Sequence, residues 1–208
     1  MTEGTPLFDT SRKALTFALN HSRLIYAQPL MTKVANMLDP SELGGKLKRD
    51  FSLGGLDGAA QAGLIYTQLN KLTQPQIWAV VSRAALPSVP CACRSPCCMG
   101  EKPNPEWVNA IRSLDAWLAE LPAEGKSSKS NKKSQFAKMQ PVLRRKLIEK
   151  HFGRKYILAD LAEEYNLTEA TIINYRKPIS LVLNGLEKGA WTDMDHLLTE
   201  LGLVGGIY

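Results

Sequence analysis

Apolar residues recur three and four apart along most of the chain, the signature of amphipathic helices packed on one face. Asp9 or Thr10 is placed to cap a first helix carrying Leu15, Phe17, Ala18 and Leu19. Pro29 can open a second through Leu30, Val34 and Leu38, stopped by Asp39-Pro40. The glycine-rich stretch 41–58 reads as a loop, and Asp57 as the cap of a helix with Leu64, Ile65 and Leu69 on one face. Pro75 sits where a first helical turn tolerates proline, with Ile77, Trp78 and Val81 predicted to point inward. Asn104-Pro105-Glu106 combines a cap, a proline and a first-turn acid, and Trp107, Ile111, Leu114, Trp117, Leu118 and Leu121 follow at helical spacing until Pro122.

After Pro122 the pattern lapses. The stretch 123–134 (AEGKSSKSNKKS) has no apolar residue beyond Ala123, so it has nothing to bury against its ordering entropy. A second helical block then begins with Val142, Leu143, Leu147, Ile148 and Phe152, and Gly153 ends its first helix. Alternating strands do not stand out. The pattern predicts an all-α chain in three parts: a helical domain over 1–122, a basic linker over 123–137, and a helical domain over 138–208.

The 208 residues are 44% hydrophobic and 22% charged, near the globular average. No apolar run is long enough to span a membrane, the N-terminus has no signal-peptide pattern, and a cytoplasmic protein is expected. The net charge of +6 conceals an asymmetry. Residues 126–155 hold eleven basic side chains and one acid, a net +10, while the remainder sums to −4. A local excess of this size is the electrostatic footprint of a polyanionic partner, or else a solvated lysine-rich linker.

All four cysteines fall within PCACRSPCCMG, a proline-flanked segment between two predicted helices. Adjacent cysteines rarely pair with one another, and the cytosol disfavours disulfides. Four thiolates complete a closed tetrahedral zinc site of the structural kind, so Cys91, Cys93, Cys97 and Cys98 are candidate ligands. Arg94 and Lys102 would offset the negative charge of such a site. The C-x-C-x3-C-C spacing is tight, which leaves open three cysteines with His21 or an acid as the fourth ligand. Inert thiols and redox chemistry are the other readings of the cluster.

In the C-terminal block, YILADLAEEY, NLT and EATIINYRK follow the basic helix in sequence. Ala162 is the small residue expected where two helices cross. Asn166 occupies the position needing a left-handed backbone. Leu167 plugs the turn, and Thr168 caps the second helix. Leu161, Tyr165, Ile172 and Tyr175 are expected to face inward. This arrangement resembles the helix-turn-helix of sigma-factor region 4 and related phage regulators, over about 140–183. Pro178 departs from that pattern and is expected to end or kink the helix after Lys177. Glu169, Ala170, Thr171, Asn174 and Lys177 then remain for base edges, with Thr168 at the helix start a further DNA-contact candidate and Arg144, Arg145, Lys155 and Arg176 better suited to phosphates. A further acidic helix is expected from a Thr192 cap to a Gly202 stop.

The PCACRSPCCMG knot, the KPNPEW helix start and the LADLAEEYNLTEATIINYRK motif together resemble the late-gene antitermination proteins (Q proteins) of lambdoid phages, most nearly the phage-82 type. The resemblance implies a protein that binds double-stranded DNA overlapping a late promoter. Such a protein loads onto RNA polymerase paused with its sigma factor and carries it past pauses and terminators. It implies DNA contacts from the C-terminal block and polymerase contacts from the N-terminal helices and zinc knot. Nascent RNA, reached through Arg94 and Lys102, or a host elongation factor would be further partners. None of this requires catalysis, and no enzyme is expected. The rival readings are a plain promoter-binding repressor or sigma-like activator, and a nucleic-acid enzyme; against the latter, Asp50, Asp57 and Asp160 are isolated rather than clustered for magnesium.

Overall fold

A computed structural model describes residues 6–27, 55–91, 93, 100–122 and 135–205. These are mostly helical, in keeping with the all-α expectation. The helices are α1 (Ser11–Ala27), α2 (Gly55–Leu69), α3 (Gln74–Ala84), α4 (Pro105–Glu120), α5 (Gln135–Lys138), α6 (Pro141–His151), α7 (Leu158–Glu164) and α8 (Glu169–Glu200). Two three-residue strands, β1 (Ser88–Pro90) and β2 (Glu101–Pro103), form an antiparallel hairpin that the hydrophobic pattern did not reveal. Each is too short to display alternation. The expected Pro29 helix and most of the linker lie outside the described residues.

The chain divides into two compact units, residues 1–71 with 193–208, and residues 72–192. The boundary expected at 122–138 therefore falls inside the second unit. The reason is packing across it: α4 and α6 lie together, joined by an ion pair between Asp115 and Arg144 at 2.6 Å.

In the first unit α1 packs on α2, burying Ala14, Leu15, Ala18, Leu19, Ala62, Ile65 and Leu69. The Thr10 hydroxyl accepts from the Lys13 amide, which makes it the cap foreseen for α1. Phe8 bridges to Val204 and donates its amide to the Leu203 carbonyl at 2.9 Å, so the two ends of this unit meet. Asp57 lies in the first turn of α2, which starts at Gly55, so it is not the cap expected of it.

In the second unit the core is built on Trp107, Ile111, Leu114 and Leu118 of α4, with Leu143, Leu147 and Ile148 of α6. The Trp107 indole donates to the Ser82 carbonyl at 3.0 Å, satisfying the polar end of the largest buried side chain. Asn104 caps α4 by accepting from the Glu106 amide. α3 turns a different face inward from the one expected: Ala79, Val80, Ser82 and Ala84 are buried, whereas Ile77, Trp78 and Val81 are half-buried. Its apolar run is unbroken over 77–81, so periodicity could not single out a face.

α8 is a second correction. It runs for 32 residues with Pro178 in its interior, so the proline does not end it, and Thr192 lies inside it, its hydroxyl bonded to the Lys188 carbonyl rather than capping a new helix. An interior proline costs about 3 kcal/mol. Ile179, Leu183, Met194 and Leu198 are fully buried along the same helix. Each contributes about 1.5–3 kcal/mol, so continuing the helix wins.

Candidate nucleic-acid interface

Three helices end in the same device. Beyond α7, Asn166 adopts φ 51°, the single positive-φ non-glycine among the described residues. Its amide donates to the Glu163 carbonyl at 3.1 Å, and the Leu167 amide to the Ala162 carbonyl at 2.8 Å. Gly153 after α6 and Gly202 after α8 close their helices through the same pair of bonds. This is the Schellman arrangement, which satisfies carbonyls left open at a helix end. Asparagine is the side chain that best tolerates such a backbone in place of glycine. Thr168 then starts α8: its hydroxyl accepts from the Thr171 amide at 3.2 Å and bonds the Thr171 hydroxyl at 2.8 Å. Leu161, Ala162 and Ile172 are buried beneath the turn, while Tyr165, Leu167 and Tyr175 are half-buried.

On the outer side of this segment Glu169, Ala170, Asn174, Arg176 and Lys177 are exposed, as is Lys155 just ahead of α7. Thr168 and Thr171, two of the expected contact residues, serve the cap, and Thr171 is half-buried.

The basic residues of α6 are placed differently from expectation. Arg144 is not a surface phosphate contact. Its side chain is 6% exposed, held by Asp115 at 2.6 Å and by the Phe136 carbonyl at 2.7 Å. Arg145 leans on the same carboxylate at 3.4 Å and stays partly open. Lys146 pairs with Glu164 at 2.5 Å and lies over the Tyr165 ring, and the Glu164 carboxylate raises its pKa. Lys150 donates to the Tyr156 carbonyl. Glu149 accepts from the Tyr156 hydroxyl and from Arg154 at 3.2 Å; burial and then this carboxylate push the Tyr156 phenol upward. Five of the segment's eleven basic residues, Arg144, Arg145, Lys146, Lys150 and Arg154, thus have partners within the fold. An amphipathic pattern identifies a basic residue but not the acid that folding brings to it from another helix.

A polar cluster that sequence reasoning missed lies deeper in the second unit. Glu187 of α8 receives two bonds from Arg83 of α3, at 2.8 and 2.9 Å, and a third from His151 Nε2 of α6 at 2.7 Å. The Arg83 guanidinium also stacks 5.0 Å from the Phe152 ring. Burial alone would raise the Glu187 pKa, but His151 and Arg83 outweigh it and hold the carboxyl at about 2. The three residues are far apart in sequence, and no local signal links them.

The cysteine segment connects β1 to β2 along the chain. Ser88, Val89 and Pro90 face Pro103, Lys102 and Glu101, and the Cys91 amide donates to the Gly100 carbonyl at 2.8 Å. The hairpin therefore closes the cysteine segment at its base. Cys91 is half-buried and Cys93 exposed; Cys97 and Cys98 lie outside the described residues. His21 is buried on α1 against Phe17, with ring centroids 5.0 Å apart. Among the described residues no cluster of three His, Cys, Asp or Glu side chains gathers to hold a metal, and no helix is long and apolar enough to cross a membrane.

Comparison with protein-family models, curated proteins and solved structures finds no match to this chain.

Proposed function

We propose that this chain is a helix-turn-helix DNA-binding protein, with α7 as the supporting helix and the first turns of α8 as the recognition helix. The observation that carries the reading is the tight turn at Asn166 leading into a Thr168-capped helix whose outward side bears Glu169, Asn174, Arg176 and Lys177. Asparagine can bond adenine through two hydrogen bonds and glutamate can accept from cytosine. Lys155 and Arg176 supply phosphate contacts, with a contribution from Arg145. Arg144 is assigned to the core.

Within that class, the particular role proposed is transcription antitermination of the lambdoid-phage kind, on the resemblance of the cysteine knot and the C-terminal motif. The protein would bind duplex DNA at a late promoter and then join RNA polymerase. A structural zinc on Cys91, Cys93, Cys97 and Cys98 would stabilise the hairpin tip as part of the polymerase-facing surface. The hairpin closure at Cys91–Gly100 fits a chain drawn into such a knot.

Two measurements test this. Asn174→Ala should weaken a duplex selected from a random pool by about 1–3 kcal/mol and leave random duplex binding nearly unchanged. Equal loss on both, or on neither, would remove α8 from the groove. Transcription through a terminator downstream of a candidate late promoter should read through only with the protein present. An effect confined to the promoter would leave a plain promoter-binding regulator.

A further inference from the structure

At the root of the hairpin lies a cavity of about 340 Å³, lined by Pro87, Ser88, Glu101, Lys102, Pro103, Trp107, Val108 and Arg154. Its volume is at the lower end of the small-molecule range. The walls are already fixed. Asn104, fully buried, donates its amide to the Pro87 carbonyl at 2.9 Å and its side chain to the Leu86 carbonyl at 2.7 Å, tying the hairpin to the start of α4. Trp107 is held by its bond to Ser82.

The lining has two chemistries. Pro87, Pro103 and Val108, with the buried Trp107 behind them, give an apolar side. Around it stand the Ser88 hydroxyl, the Glu101 carboxylate and two cations. Ser88 donates to one Glu101 carboxylate oxygen at 2.5 Å, and the other oxygen keeps its acceptor capacity. Lys102 is exposed and makes no ion pair or side-chain hydrogen bond among the described residues. Arg154 is 54% exposed and is positioned by Glu149 and by the Tyr156 ring, 5.7 Å away. Lys155, its neighbour, is a proposed phosphate contact.

We infer that this cavity takes one unpaired nucleotide of a single-stranded nucleic acid. Apolar walls accept the faces of a splayed base, and the Glu101 and Ser88 oxygens meet its polar edge. Lys102 and Arg154 meet the flanking phosphates. A paired base cannot enter, because both its edge and its faces are occupied in the duplex. Two cations on the lining favour a polyanion, and the exposed Glu101 carboxylate at the rim suits the amino and imino donors of a base. The inference rests on the nucleic-acid reading of the chain for its ligand class only, since it uses none of the residues assigned to the duplex.

The test is fluorescence anisotropy of the full chain with labelled single-stranded RNA, single-stranded DNA of the same sequence, and duplex DNA. Lys102→Gln removes a cation from the mouth, and Val108→Phe fills the half-buried wall. Each should weaken single-strand binding about tenfold, as loss of one stacked or charged contact does, and leave duplex binding unchanged. The RNA and DNA arms identify which strand is preferred. Lys102 is exposed, so its variant keeps the test open should Val108→Phe disturb folding. Single-strand binding that is absent, or that survives both substitutions, would overturn the inference. Loss of duplex binding with Asn174→Ala, alongside intact single-strand binding, would bear on the helix-turn-helix reading alone.

Discussion

Replacing Glu187 with glutamine removes one charge from the centre of the second unit and changes almost nothing else in shape. The carboxylate is 10% exposed and takes bonds from Arg83 and His151, so the variant leaves two donors facing a neutral amide. The free-energy scale follows from its pKa, lowered from 4.5 to about 2. Undiminished, that difference corresponds to about 3 kcal/mol. Solvent reaches the cluster through Arg83, which is 27% exposed, and screening reduces the expected contribution to about 1–2 kcal/mol. The sign is definite. A carboxyl held below its ordinary value stabilises the fold fully above the unfolded pKa, and that stabilisation is lost as pH falls through the folded one. Wild type should therefore exceed Glu187→Gln by about 1–2 kcal/mol at pH 7. The gap should begin to close near pH 4.5 and vanish near pH 2. Urea unfolding followed by circular dichroism at a series of pH values measures both, and other carboxylates cancel in the difference. A gap that stays constant from pH 7 to pH 3 would mean the carboxylate charge is not what the cluster uses.

Arg144→Ala should cost about 3 kcal/mol of stability, the lower end for a broken buried pair, because Asp115 is left with only the longer Arg145 contact, whereas Lys155→Ala should leave chemical denaturation unchanged. Equal stability of the two variants would return Arg144 to the surface. Pro178→Ala should stabilise the protein by about 1–3 kcal/mol in a thermal melt, because an interior N–H is restored to α8. A loss would show that the proline ring packs where alanine cannot. For the proposed zinc, elemental analysis should find about one ion per chain, and chelation or Cys91→Ser should lower the melting temperature. A metal-free protein with the same melting temperature would refute the site.

The local punctuation was legible from residue types alone. Asn104-Pro105 starts α4, Thr10 and Thr168 cap α1 and α8, and Gly153, Asn166 and Gly202 end three helices. These depend on backbone conformation and on partners within a few residues, which the order of side chains specifies directly. The apolar faces of α4 and α7 were legible for the same reason. The tertiary structure decided what a basic residue is for. Arg144 and Arg145 look like a nucleic-acid surface until Asp115 arrives from α4. It also decided the continuity of α8 through Pro178, because the burial that outweighs a proline is supplied by other helices. The Arg83–His151–Glu187 cluster belongs to the same class, because its members are remote in sequence and meet only when the core forms, and a pattern read along one helix carries nothing of a partner on another.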